Sequence, residues 1–265
     1  MMEENASESF ALVTGASRGL GKSIAMELSA RGFNTLLVGT STTVEQVCEE
    51  IKNQYHTQSF AYIADLSRRE EVLALAEKIN AQHQVCILVN NVGVGGTRAF
   101  VDAPTDYLEK IIDLNVRCTA LLTHALLPNL LRQKKSYVLN IGSMSSLNPT
   151  GYKTVYPASK SFVLSFSLGL REELKGTPVS VSVCSPGAMA TNAEVTARIE
   201  KQGFWGRATL KSPDRIAHRC VRRMLRGKRH IVINPLAYIL SLLVPDCIKT
   251  PVLTRIVKRE TKKKD

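Results

Sequence analysis

The chain has 265 residues, 44% of them hydrophobic, and a formal net charge of +12. That composition excludes a disordered or collagen-like chain and is ample for one large α/β domain. Six scattered cysteines (48, 86, 118, 184, 220 and 247) with no C-x-x-C pair exclude a disulfide frame and a zinc site, and read as reduced thiols of a cytosolic protein.

The first residues, Met1-Met2-Glu3-Glu4, lack the cationic and apolar stretches of a secretory signal, so a cytoplasmic location is the expectation. Residues 10–14 (Phe-Ala-Leu-Val-Thr) form a short apolar run of the kind that makes a buried strand. It leads directly into Gly15-Ala16-Ser17-Arg18-Gly19-Leu20-Gly21, after which Ile24, Ala25, Leu28 and Ser29 recur at helical spacing up to Gly32. Strand, glycine-rich turn and helix make half of a dinucleotide-binding unit. The glycines admit a pyrophosphate to the backbone, and the helix N-terminus supplies amide donors and a favourable dipole.

The next strand, 34–39, ends in Gly39-Thr40-Ser41 with no acid. NAD sites usually place a carboxylate about 20 residues past the glycine turn for the ribose 2′-hydroxyl. The hydroxyls of Thr40 and Ser41, with the Arg18 guanidinium, suit a 2′-phosphate instead. NADP(H) is therefore expected over NAD(H).

Further strands are predicted at 58–63, 85–90, 136–142, 179–184 and 230–234. Helical periodicity occupies 20–31, 43–55, 68–82, 105–132, 154–175 and 213–226. This alternation implies right-handed βαβ crossovers and a doubly wound parallel sheet (a Rossmann fold) of about seven strands, with helices on both faces. The strands lack alternation, as expected when both faces are covered. Ligands in such sheets bind beyond the carboxyl ends of the strands. Asp65, Asn90 to Gly93, Ser143 and Pro186 all fall there.

The segment Tyr156-Pro157-Ala158-Ser159-Lys160, with Ser143 thirteen residues upstream, carries the chemistry. Tyr156 and Lys160 stand one helical turn apart on one face. An ammonium near a phenol favours phenolate, so a lowered Tyr156 pKa and a usable proton donor near neutrality are expected. Pro157 is tolerated if the helix begins close to the tyrosine.

Taken with the glycine turn, these residues resemble the short-chain dehydrogenase/reductase family, over about residues 8–235. Thr14 to Gly21 match its cofactor turn, with Gly15, Ser17, Arg18, Gly19, Leu20 and Gly21 as cofactor-binding residues. Asp65-Leu66 match its adenine contact, and Asn90-Asn91-Val92-Gly93 look like its N-N-A-G segment, with Val92 in place of alanine. Asn91 and Gly93 are the cofactor candidates there. Asn115, Ser143, Tyr156 and Lys160 fall on its catalytic tetrad. Pro186, Gly187, Met189 and Thr191 fall on its nicotinamide-side segment. The resemblance implies hydride transfer between nicotinamide and a carbonyl or alcohol carbon. Tyr156 would give the proton, Ser143 would hold the oxygen, Lys160 would lower the Tyr156 pKa and bond the nicotinamide ribose, and Asn115 would hold a water. It also implies dimers or tetramers.

Substrate contacts are expected from residues 188–211, whose Met189, Val195, Ile199, Phe204 and Trp205 suit a lipid-like or acyl substrate or simply pack a lid. The charge is uneven. Residues 214–265 hold 14 Lys/Arg against 4 Asp/Glu, while the first 213 residues hold 21 against 19. After the Ser212-Pro213-Asp214 helix start, Arg215, Arg219, Arg222 and Arg226 share one helical face, either solvated or a docking patch for an acidic carrier or an anionic surface. Residues 236–244 are apolar but too short to span a bilayer. They are expected to pack on the body or seal an oligomer contact, or else to lie in a membrane interface, with a plain basic tail behind them. No nucleic-acid recognition motif or aromatic platform is present in the sequence, and no metal site is expected.

The reading is a single domain, with a core of about 8–235 and an extension of about 236–265. Its expected activity is that of an NADPH-dependent reductase of a hydrophobic or acyl carbonyl such as a 3-oxoacyl thioester. The alternatives are a steroid, retinoid or xenobiotic carbonyl reductase, or a non-catalytic NADP(H)-binding regulator.

Overall fold

The structure is a computed structural model and describes residues 9–187 and 212–261. Its centre is a seven-stranded, wholly parallel sheet. The strands are β1 (Ser9–Thr14), β2 (Asn34–Gly39), β3 (Ser59–Ile63), β4 (Gln84–Asn90), β5 (Ser136–Ile141), β6 (Val179–Ser185) and β7 (His230–Val232), and their order is β3-β2-β1-β4-β5-β6-β7. Every residue of β1, β2 and β5 is buried, which explains their unbroken apolar runs. The edge strand β3 is less covered and leaves Phe60 and Ile63 exposed.

Helices cover both faces. On one, α1 (Gly19–Ser29), α2 (Thr43–Tyr55) and α7 (Pro213–Leu225) bury Ile24, Leu28, Ile51, Val221 and Met224 against the sheet. On the other, α3 (Arg69–Gln82), α5 (Cys118–Leu131) and α6 (Val155–Glu173) flank it. Here Val72, Ile79, Leu122, Leu126 and Leu130 fill the core. Strand order reverses between β1 and β4, so the loops after these strands part and leave a crevice at their carboxyl ends. The predicted strands and helices fall within a few residues of those observed, with two corrections.

The helix predicted over 105–132 is divided. A π-helical turn, Asp113–Arg117, separates α4 (Thr105–Ile112) from α5. One extra residue per turn carries Asn115 into the interior, where its side chain bonds a neighbouring loop. The second correction is an addition near the end of the chain, where the structure has two helices that periodicity did not predict, α8 (Pro235–Leu243) and α9 (Asp246–Thr261). Asn234 caps α8 by accepting from the Ala237 amide at 3.2 Å, and Pro235 takes the first helical position. No residue of α8 is buried, so this apolar segment does not pack into the core.

Candidate active site

The glycine turn is built against β4. Thr14 Oγ1 accepts from the Asn91 and Val92 amides, each at 3.0 Å, and donates to the Val89 carbonyl at 3.2 Å. Asn91 Nδ2 donates to the carbonyls of Thr14 (2.9 Å) and Gly15 (3.2 Å). Asn91 therefore holds the turn in place from behind. Gly21 closes it: a Cβ there would stand 2.2 Å from the Gly15 carbonyl oxygen and 2.5 Å from Asn91 Nδ2.

No side chain caps α1 and no acid stands in its first turn. The Gly19, Leu20 and Gly21 amides thus have no carbonyl behind them within the helix. An uncapped, glycine-lined N-terminus fits a pyrophosphate, and these residues fit a dinucleotide cofactor. Beside them, Ser17 packs so closely under the end of β2 that a Cβ on Gly39 would lie 2.3 Å from its Oγ. Arg18, Thr40 and Ser41 are exposed at the same end of the sheet. Asp65 accepts from Ser67 N (3.0 Å) and Ser67 Oγ (2.7 Å), bonds that hold its carboxyl below the usual range. Leu66 beside it is buried.

Ser143 follows β5 in extended conformation and accepts from the Ser145 amide at 3.1 Å, capping a short 3₁₀ turn, Met144–Leu147. Its hydroxyl also acts on the Tyr156 phenol, favouring the ionised form. Tyr156 lies in the first turn of α6, as Pro157 required. Lys160, one turn on and buried, donates from Nζ to the Ile141 carbonyl at 2.8 Å. Burial pushes Lys160 down to about 8. Tyr156 moves the other way from expectation: burial pushes the phenol above its ordinary value, and the Ser143 hydroxyl opposes that only in part. The reason is desolvation, which disfavours phenolate and ammonium alike.

Asn115 is wholly buried. Its Oδ1 accepts from Val94 N, and its Nδ2 donates to the Val94 carbonyl and to Ser159 Oγ, each at 2.9 Å. Ser159 Oγ in turn donates to the Tyr156 carbonyl at 2.7 Å. One side chain thereby joins the loop after β4 to the turn of α6 that carries the tyrosine.

The sequence reading missed how close that loop comes. A Cβ on Gly93 would meet Asn115 Oδ1 at 2.7 Å and Lys160 Nζ at 3.3 Å, and one on Gly95 would meet the Tyr156 ring at 2.7 Å. The run Gly93-Val94-Gly95-Gly96 was the available signal. On the far side, the Pro186 carbonyl accepts from Met144 N at 2.9 Å, which brings the end of β6 beside Ser143. Gly187 follows it. Met189 and Thr191 lie outside the described residues, as do Val195, Ile199, Phe204 and Trp205.

The C-terminal helices also reach the site, which sequence reasoning did not foresee. Thr97 Oγ1 donates to Glu260 Oε2 at 2.5 Å and Lys153 Nζ to Glu260 Oε1 at 3.1 Å. The Gly151 amide donates to Thr254 Oγ1 at 2.9 Å, and Asn148 Nδ2 to Ser241 Oγ at 3.1 Å. The loops on either side of Tyr156 are thus tied to α8 and α9. Arg215 and Arg222 of α7 and Arg226 just after it are exposed, whereas Arg219 donates to the Ile233 carbonyl at 3.2 Å and so is no free member of a basic face.

A family profile described as short chain dehydrogenase matches residues 9–202. The chain is 34% identical over 200 residues to a very-long-chain 3-oxoacyl-CoA reductase of Anas platyrhynchos, covering 74% of this chain and 63% of that one. It is 30% identical over 223 residues to the inactive hydroxysteroid dehydrogenase-like protein 1 of Homo sapiens, covering 83% and 67%. Among solved structures, a metagenomic short-chain oxidoreductase in complex with NADP is 26% identical with a TM-score of 0.71, covering 86% and 98%. A Burkholderia phymatum short-chain dehydrogenase/reductase in complex with NAD shares the fold at 20% identity, covering 92% and 94% with a TM-score of 0.80.

Proposed function

The chain belongs to the short-chain dehydrogenase family, and from that premise we propose that it is an NADPH-dependent carbonyl reductase, an oxidoreductase of CH–OH and C=O groups, with Tyr156 as its proton donor. The observation that carries this reading is Tyr156 in the first turn of α6 with Lys160 one turn along the same helix, its Nζ held by the Ile141 carbonyl at 2.8 Å. The residues that would hold the cofactor are the first amides of α1, with Arg18, Thr40 and Ser41 at its 2′-phosphate, Asp65 and Leu66 at its adenine, and Lys160 with Pro186 and Gly187 on its nicotinamide side. When bound, the nicotinamide supplies the hydride.

The chain's own part is to place a proton. A carbonyl oxygen gathering negative charge accepts from Tyr156 and from Ser143 together, two donors set in a water-poor site. As the phenol gives up its proton, the Lys160 ammonium stands by to stabilise the phenolate, and its pKa of about 8 keeps it mostly charged at neutral pH while still able to relay a proton. Asn115 fixes the loop through Val94 and so sets where Gly93 and Gly95 sit against Lys160 and Tyr156.

A 3-oxoacyl thioester is the substrate class we favour. A relative bears that activity in its name, and the basic C-terminal region suits an acidic carrier or the phosphates of coenzyme A. A steroid, retinoid or xenobiotic carbonyl is the alternative within the same chemistry. A cofactor-binding regulator is the second reading, since another relative is named inactive. We place the protein in the cytoplasm, on the six widely scattered cysteines of the sequence, which have no paired spacing. We expect a dimer or tetramer, in line with the family resemblance.

The test is NADPH oxidation at 340 nm with acetoacetyl-CoA, a longer 3-oxoacyl thioester, a steroid ketone and a small diketone, for wild type and Tyr156→Phe. Turnover lost in the variant supports the reductase and selects its substrate. Tight NADPH binding without turnover of any of them would favour the regulator.

A further inference from the structure

We infer that the outer faces of α8 and α9 dock this protein on an anionic lipid bilayer, without crossing it, at the rim of the candidate active site. The inference rests on the reductase reading only in explaining why an apolar ketone would be met there.

The five large aliphatic residues of α8, Leu236, Ile239, Leu240, Leu242 and Leu243, are all half or more exposed, and the two end leucines are 70% and 74% exposed. Scattered surface leucines are ordinary, but a whole helix of them is a patch that water disfavours. The next helix, α9, has an exposed face of its own. Ile248, Val252, Arg255 and Arg259 recur at i, i+4, i+7 and i+11, one face of an α-helix, and all four are exposed. The first two are apolar and the last two cationic, and the sequence runs on through Lys262-Lys263-Lys264.

Apolar surface adjoining cations matches the order met at a bilayer surface, with acyl chains below anionic phosphates. Residues 235–265 hold seven Lys/Arg against three Asp/Glu, so the segment that carries the apolar patch is itself cationic. No helix among the described residues is long and apolar enough to cross a membrane, which makes the association peripheral.

The inner faces of the same two helices hold the catalytic loops. Ser241 of α8 accepts from Asn148, and Thr254 and Glu260 of α9 accept from Gly151, Lys153 and Thr97. A bilayer on the outer face therefore lies one helix thickness from the loop that runs between Ser143 and Tyr156. An apolar ketone held in the bilayer would therefore stand close to that loop.

The experiment is co-sedimentation of the full chain with phosphatidylcholine vesicles and with vesicles containing about one-third phosphatidylglycerol, a composition that gives the surface a strongly negative potential. The expected result is at least about ten-fold stronger binding to the anionic vesicles, lost in Leu236→Glu/Leu243→Glu and weakened by Arg255→Glu/Arg259→Glu and by high salt. All four positions are exposed, so unchanged thermal unfolding is the control for folding. Absence of binding to anionic vesicles, or binding indifferent to the two leucine changes, overturns the inference. So does sedimentation velocity showing an oligomer that Leu236→Glu/Leu243→Glu dissociates while vesicle binding is nil, because the patch would then be a contact between copies. Vesicle binding needs neither cofactor nor substrate, so its failure and a failed reductase assay are separate outcomes.

Discussion

Replacing Glu260 with alanine tests whether the C-terminal helix is part of the catalytic framework. Its side chain is 1% exposed and accepts from Lys153 Nζ at 3.1 Å and from Thr97 Oγ1 at 2.5 Å. Removing one partner of a fully buried ion pair costs about 3–5 kcal/mol, because the other charge stays behind unpaired. Lys153 keeps 22% of its side chain in contact with solvent and can turn to water, which lowers the expected loss to about 2–3 kcal/mol. In a chain of this size that is a fall in Tm of roughly 4–12 °C. Glu260→Gln, which keeps the shape and one acceptor, should lose about half as much.

The same change should reach the chemistry. The Tyr156 amide donates to the Lys153 carbonyl at 2.8 Å, so a loosened Lys153 loosens the start of α6. We expect kcat to fall with the cofactor Kd nearly unchanged, since the glycine turn lies on the other side of the crevice. Thermal unfolding, limited proteolysis around Val244-Pro245 and NADPH fluorescence titration read the three quantities. A Tm within 1 °C of wild type, with no new cleavage, would refute the reasoning, because it would mean that α9 does not hold these loops.

Gly21→Ala should abolish NADP(H) binding, because the new Cβ would stand 2.2 Å from a backbone oxygen of the turn and something must shift; titration calorimetry checks this. Gly95→Ala presses on the Tyr156 ring instead, at 2.7 Å, and should lower kcat about ten-fold while leaving cofactor affinity intact. Thr40→Asp should move preference toward NADH by placing a carboxylate where a 2′-phosphate would be repelled, read as the ratio of kcat/KM for the two cofactors. Lys160 fixes the sign of a pH effect. Its pKa is about 8 when folded and near 10.5 when free, so between those values the unfolded chain binds the extra proton and folding gains stability as pH rises. The Tm of wild type relative to Lys160→Met should therefore climb from about pH 8 to pH 10 in the cofactor-free protein; a constant difference would argue against a desolvated lysine.

Much of this was legible before any coordinates. Strand–helix alternation depends on neighbours a few residues apart, and β1, β2 and β5 fill their predicted spans because a strand covered on both faces must be apolar throughout. The glycine turn and the Tyr156–Lys160 pair were equally plain, since one helical turn or one tight bend sets their spacing. Pro157 even located the start of α6.

Long-range contacts decided the rest. Nothing local to Asn115 announces a π-helical turn; it exists because the side chain finds both polar groups of Val94, 21 residues away. Nothing local to Glu260 marks it as buried, yet it meets Lys153 across 107 residues and Thr97 across 163. The Tyr156 pKa was misread in direction for the same cause: spacing along a helix places a charge near the phenol, whereas burial of both groups depends on everything folded around them. Periodicity is a property of short stretches of chain, while desolvation and ion pairing belong to the assembled interior.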